Sequence, residues 1–318
     1  MTRPRAPLRE ARPQRGGLRG DSTRPHERQQ HDAYVPTGSL RPTLGMIVNL
    51  KYPENMEVVA AVRRRSAAAD CTILLADANE FVEREDAYER LLIERRLDGL
   101  LMATFMPTTG CIAALLRHRL PLVLVNRRIP WLVPGVAVDD EEGMRVAVAH
   151  LAQLGHRHIG YVAGPGEADT VHRRLEGFRR AMEVQGLPLT PSHVATSTAD
   201  QRDGPARAMH RLLSLTPRPT AVVLWTIGDA VGALAAVRGL GLRVPEDLSL
   251  VAFNDAPPAA YLNPPMTVVR LPLWELAEQS VTRLFHAMSG HTELGDVLIQ
   301  TPPELVERAS TAPPAQRR

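Results

Sequence analysis

The residues of this chain that could do chemistry gather where short apolar runs stop. Trp225 and Thr226 close the run at 221–225, Asn254 and Asp255 close 248–253, and Asn126 ends 122–126. Tyr52, Phe105 and Trp131 fall at or just past the ends of other such runs. An asparagine both donates and accepts hydrogen bonds without charge, and flat aromatic faces stack on a sugar or a base. The chemistry these types suit is recognition of a small molecule. Each has a plainer use as well: Asn254 as a turn residue, Asp255 as a cap or turn acid, and the aromatics as hinge packing. Bond-making machinery is not legible, since no nucleophile elbow, Cys–His arrangement or pair of catalytic acids appears. His150, His156 and His158 are scattered by a helix followed by a strand, so no metal is expected. The string G-P-G-E at 164–167 lacks the Lys-Ser/Thr of a phosphate loop. No cofactor is expected.

The elements that must position these residues alternate. Two buried-strand runs, 221–225 and 248–253, flank a helical spacing over 229–238 that Gly239 and Gly241 end, and Pro245 sets the next turn. That is a βαβ unit, and ligands bind beyond the carboxyl ends of its strands. Upstream, strands are predicted at 44–49, 72–76, 99–103 and 122–126. Helices fall between them at 56–70, with Asn55 as N-cap, at 80–96 and at 110–119. The pattern then restarts. A strand at 136–138 leads to acids 139–142 at the positive end of a helix that Gly155 stops. A strand at 158–163, a further helix, a loop at 197–203 and a helix at 205–215 follow. Two such series predict an α/β protein of two lobes, each a doubly wound parallel sheet flanked by helices.

Several strings go further. "G-L-R-V-P-E-D-L-S-L-V-A-F-N-D" and "N-P-P-M-T-V-V" in 241–269, "R-R-L-E-G-F" at 173–178 and the closing "R-A-S-T" resemble the effector-binding domain of the LacI/GalR family of transcriptional regulators. The likeness covers roughly residues 41–311. It implies a type I periplasmic-binding-protein-like clamshell: residues 41–133 with about 272–291 as one lobe, 134–271 with about 292–311 as the other. It implies a small-molecule effector in the cleft, with Arg174 hydrogen-bonding it through a rigid donor fork. A surface ion pair with Glu176 is the plainer use of Arg174, and Arg173 is expected to be solvated. The resemblance further implies a homodimer with Tyr261 and Leu262 in the contact. Three positions depart from the family: Asn126 and Asn254 stand where Asp is usual, and Thr226-Ile227 replaces Asn-Asp. A solute-binding protein of a transport system shares this fold, and an enzyme using the cleft is a further alternative.

Charge is unevenly placed. Residues 1–40 hold eight arginines against four acids, a balance of +4 in a chain of net +3, so the rest carries −1. The arginine-rich stretch lacks apolar periodicity and is expected to be a disordered tail, either simply solvated or a nucleic-acid-binding arm. No helix-turn-helix string appears in the chain. Operator DNA is therefore an expected partner if a headpiece lies upstream of Met1. Cys71 and Cys111 have no metal or redox spacing and are expected to be small buried residues. With no span-length apolar run and no signal-peptide core, the expected location is the cytoplasm and no membrane partner is expected.

Overall fold

The computed structural model describes residues 41–78, 97–103, 112, 115–129, 132–166, 168–197, 203–291 and 295–315. The helix expected at 80–96, part of that at 110–119 and most of the loop at 197–203 lie outside them, as do Phe105, Cys111, Trp131 and the tail at 1–40.

Two six-stranded sheets organise the chain. The first takes β1 (Thr43–Val48), β2 (Thr72–Asp77), β3 (Gly99–Ala103), β4 (Leu122–Val125), β5 (Gly135–Ala137) and β11 (Val297–Leu298), in the order β11-β5-β4-β3-β1-β2. All its pairings are parallel, as the thirty-residue spacing of apolar runs requires. The second takes β6 (Ile159–Ala163), β7 (Val194–Thr196), β8 (Ala221–Leu224), β9 (Ser249–Phe253), β10 (Thr267–Arg270) and β12 (Glu304–Val306), in the order β12-β10-β9-β8-β6-β7. Only β12 runs antiparallel. Every residue of β4, β6, β8 and β9 is buried, which is why they read as unbroken apolar runs rather than as alternations.

Helices cover the sheets. In the first lobe α1 (Asn55–Ala67) packs on the C-terminal helix described below. In the second, α2 (Asp140–Gln153) packs on α3 (Asp169–Val184), and α4 (Gly204–Leu213) on α5 (Ala230–Gly239). A short α6 (Pro258–Tyr261) follows β9, and α7 (Leu273–Met288) returns to the first lobe against α1, β3, β4 and β5, as the family resemblance implied. Asp139 caps α2 by accepting from the Glu142 amide at 2.9 Å, and Gly155 takes φ +98° just past its end. The cap of α1 differs from expectation. Glu54 holds that position, while Asn55 is the first helical residue and donates from Nδ2 to the Asn49 carbonyl at 2.7 Å.

The chain crosses between lobes three times: from β5 to α2, from β10 to α7 and from β11 to β12. The first crossing corrects the boundary expected at 133/134. Gly135–Ala137 pairs with β4, so the N-terminal lobe runs on through this strand. Likewise the stretch 292–311 does not belong wholly to the second lobe, because Val297–Leu298 pairs with β5. A three-residue strand fits either sheet by composition, and only its partner decides.

Candidate functional site

The strands of both lobes end facing one cavity, small in enclosed volume at about 70 Å³. Tyr52, Glu54, Asn55, Val58, Ala103, Val125, Asn126, Arg127, Leu273 and Leu276 line it from the first lobe, and Thr170, Arg174, Trp225, Thr226 and Asn254 from the second. Six of the seven residues singled out as effector contacts meet here: Tyr52, Asn126, Arg174, Trp225, Thr226 and Asn254. The seventh, Asp255, does not. Its carboxylate is taken by Arg270 at 2.6 Å and Arg308 at 2.9 Å on the far side of the strand end, where it ties β10 and the C-terminal segment to β9.

Local backbone explains two of the asparagines. Asn126 and Asn254 sit at φ +53° and +66°, the left-handed region that asparagine tolerates better than other non-glycine residues. Each turns the chain sharply off its strand into the cleft. Asn126 Oδ1 accepts from the Val138 amide at 3.4 Å and from Arg173 at 3.3 Å. Asn254 Nδ2 donates across the cleft to Glu54 Oε1 at 3.2 Å, a direct bond between lobes. Thr226 accepts from the Gly228 amide at 3.1 Å and so shapes the turn that carries Asp229.

Arg174 is more deeply engaged than its expected role required. It is 3% exposed, donates from Nε to Asp140 at 2.6 Å and from Nη1 to the Trp225 carbonyl at 2.7 Å. Its guanidinium carbon lies 4.3 Å from the Trp225 ring centre and 4.4 Å from that of Phe253. Glu176 is not its partner; that acid pairs with Arg179 and Arg180. Arg173, expected in solvent, is buried too, bonding Asp140 at 2.6 Å and Asp169 at the next turn of α3. Burial pushes the Asp140 carboxyl upward, but Arg174 and Arg173 outweigh it and hold the group below the usual aspartate range. Asp169 in turn meets Arg127 at 3.8 Å and accepts from the Arg128 amide at 3.0 Å, so the network spans both lobes.

The acid side of the cavity is Glu54 with Asp229 behind it. Both are buried, and neither was singled out from sequence. Burial raises Glu54, against the opposing pull of the Asn254 hydrogen bond and the Arg174 charge. Burial and the Glu54 charge push Asp229 to about 7, with Lys51 pulling the other way. Tyr52 is raised by burial and by the charges of Asp229 and Glu54. The carboxyl-end rule could have found Glu54, which follows β1 by a few residues just as Tyr52 does.

The remaining motifs have structural uses. Trp225 is 2% exposed and its ring packs where a side chain on Gly164 would stand, 2.4 Å away, so the first glycine of G-P-G-E makes room for an indole. That ring is committed to Gly164 and Arg174 and offers the cavity little stacking face. His156 bonds the Thr220 hydroxyl at 2.9 Å and the Ala312 carbonyl at 2.9 Å, and His150 bonds Thr311 at 3.1 Å; both tie down the C-terminal segment. No group of residues that could hold a metal occurs among the described residues. Cys71, expected to be buried, is partly exposed. No described helix is long and apolar enough to cross a membrane.

Comparison with known proteins matches this arrangement to regulators. The periplasmic binding protein-like domain family matches residues 148–311. The HTH-type transcriptional repressor CytR of Escherichia coli (strain K12) is 30% identical over 280 residues, which are 87% of this chain and 81% of that protein. The chain belongs to the LacI family of transcriptional regulators. A second relative is the HTH-type transcriptional repressor PurR of Escherichia coli O1:K1 / APEC, 31% identical over 263 residues, 80% of this chain and 75% of that one. A LacI family transcriptional regulator from Mycobacterium smegmatis superposes with a TM-score of 0.78 at 32% identity, covering 86% of this chain and 100% of its own. As a LacI-family protein the chain is a ligand-sensing transcriptional regulator, not an enzyme.

Proposed function

We propose that the effector of this LacI-family regulator occupies the cavity between the lobes, held by Tyr52 and Asn126 from one and Arg174, Thr226 and Asn254 from the other, with Trp225 supporting Arg174 from behind. The observation that carries this reading is convergence: residues from separate strand ends and two lobes meet on one cavity. A ligand touching both walls favours the closed arrangement over the open one by its differential contacts. Closure then alters the relation between the two subunits of a homodimer, and with it the hold on operator DNA. The lobes' own contacts support a closed arrangement poised for this, since the Asn254–Glu54 bond and the Asp169 network join them directly. Val58, Val125, Leu273 and Leu276 give the cavity an apolar floor beneath these polar groups, a combination suited to a small ring compound, sugar-like or nucleobase-like.

The test is a thermal-shift screen of sugars, sugar phosphates, polyols and nucleobases on the wild type and on Ala103→Phe. Ala103 lines the cavity at the end of β3 and is only partly buried, so a phenyl ring there fills the ligand's space without displacing the core. A ligand at one hundred times its Kd stabilises by about 2.7 kcal/mol. The expected result is that the wild type shifts and Ala103→Phe does not. A variant that shifts as strongly as the wild type would place the site elsewhere.

A further inference from the structure

The polar atoms of the cavity do not balance. Arg174 is matched by Asp140, and Arg127 by Asp169, so the two lining guanidinium groups each face a carboxylate. Glu54, the lining carboxylate, has no such partner: its Oε1 accepts from the Asn254 amide and its Oε2 accepts from nothing among the described residues. Asn254 Oδ1 is likewise buried without a donor. Glu54 is 3% and Asn254 6% exposed. Buried acceptors in native proteins nearly always find a donor, and here two are open on side chains already bonded to each other across the lobes. Asp229 behind them adds a second acid with an unpartnered oxygen, Oδ2.

We infer that Glu54 Oε2 and Asn254 Oδ1 together seat a cationic nitrogen of the effector, an ammonium or an amidinium, so that the regulator senses an amine-bearing small molecule rather than a neutral polyol. A neutral hydroxyl would satisfy the acceptors with only the Arg174 charge acting on Glu54. A cation satisfies them and places a counter-charge in direct contact, with hydrogen bonds of the charge-assisted kind. Because the two acceptors belong to different lobes, the same group bridges the cleft and closes it. The inference rests on the cavity being the sensing site.

Burial pushes both Glu54 and Asp229 upward, so a proton and a bound cation compete for the same carboxylate. The charged and titratable groups facing this pair are Lys51 and Tyr52 on its own loop, Arg174 on α3 and Asp229 on the turn after β8. A cationic ligand competes with a proton for Glu54, so its affinity rises with pH, more steeply than that of a neutral donor.

The experiment measures binding of matched pairs to the full chain: benzamidine against benzamide, glucosamine against glucose, and ethanolamine against ethylene glycol. At least one amine member is expected to bind about tenfold or more tightly than its neutral twin, and more tightly as pH rises while it stays protonated itself. Glu54→Gln should abolish that preference. Asn254→Asp, which adds a negative charge at the same spot, should sharpen it, so the inference stays testable if Glu54→Gln fails to fold. Neutral twins that bind as well as the amines, amines that bind equally to Glu54→Gln, or no amine binding at all would overturn the inference. If neutral members still lose their shift in Ala103→Phe, the cleft reading survives that outcome; if ligands bind Ala103→Phe unimpaired, it is the cleft reading that falls.

Discussion

Arg174 shows how a single residue can be found from sequence while its burden is missed. It lies in the cavity wall as the family resemblance implied, yet it also neutralises an Asp140 that is wholly buried and packs between two aromatic rings. Removing one member of a buried ion pair costs about 3–5 kcal/mol when the other is stranded. Arg173 still reaches Asp140 here, so Arg174→Ala is expected to lose roughly 2–4 kcal/mol and to melt well below the wild type without any ligand. Chemical denaturation reads this directly, and an unchanged midpoint would show that the network is slack. Asp229 carries the pH prediction. Its folded-state pKa of about 7 stands above the ordinary aspartate value of about 3.9. The native state therefore holds a proton that the unfolded chain has already lost between those values, and stability falls as pH rises through that window. At about 1.4 kcal/mol per unit, Asp229→Asn is expected to be roughly 2–4 kcal/mol more stable than wild type near pH 8, the gap closing toward pH 5. Urea titrations at both ends check it; a gap independent of pH would mean Asp229 is already paired.

At the scale of elements most of the fold was legible, and for a physical reason. Parallel strands covered on both faces must be continuously apolar, so β4, β6, β8 and β9 announce themselves. Caps and stops are local chemistry, and Asp139, Gly155 and Gly241 stand where expected, Gly241 at φ +68°. What escaped were matters settled between elements. The three residues of β5 carry no mark of which sheet they join. Nor does the helix string "R-L-E-G-F" disclose that its glycine lets α3 lie against α2, where an added Cβ would stand 2.8 Å from the Glu141 backbone. The site divided the same way. Residues at strand ends were foreseeable from topology, but Glu54, Asp140 and Asp229 matter through partners distant in sequence, up to the 200 residues separating Glu54 from Asn254. At Asn126 and Asn254 the positive φ supplies a backbone reason for asparagine that residue types alone do not disclose.

For the molecule as a whole, the proposed function calls for a second copy. Tyr261 is 87% exposed at the end of α6, with Leu262 beside it, an aromatic placed on the surface of the second lobe. A homodimer using this contact is expected to weaken markedly in Tyr261→Asp, since an aromatic anchor in an interface often contributes about 2 kcal/mol or more, upward of tenfold in Kd. Sedimentation equilibrium of both proteins measures it; identical association would move the interface elsewhere.

The last crossing, from β11 to β12, has a consequence for biosynthesis. Each sheet receives an edge strand from residues 297–306, and Ser310 then bonds the Leu250 carbonyl and the Thr267 amide inside the second. A ribosome adds about 5–20 residues per second, and domains that are contiguous in sequence fold as they emerge. Here neither lobe can finish until residues 297–310 have emerged, so the two halves mature together rather than in turn. A message cut short near codon 290 would yield not one sound lobe and one damaged one, but two sheets with open edges offered to proteases and to each other.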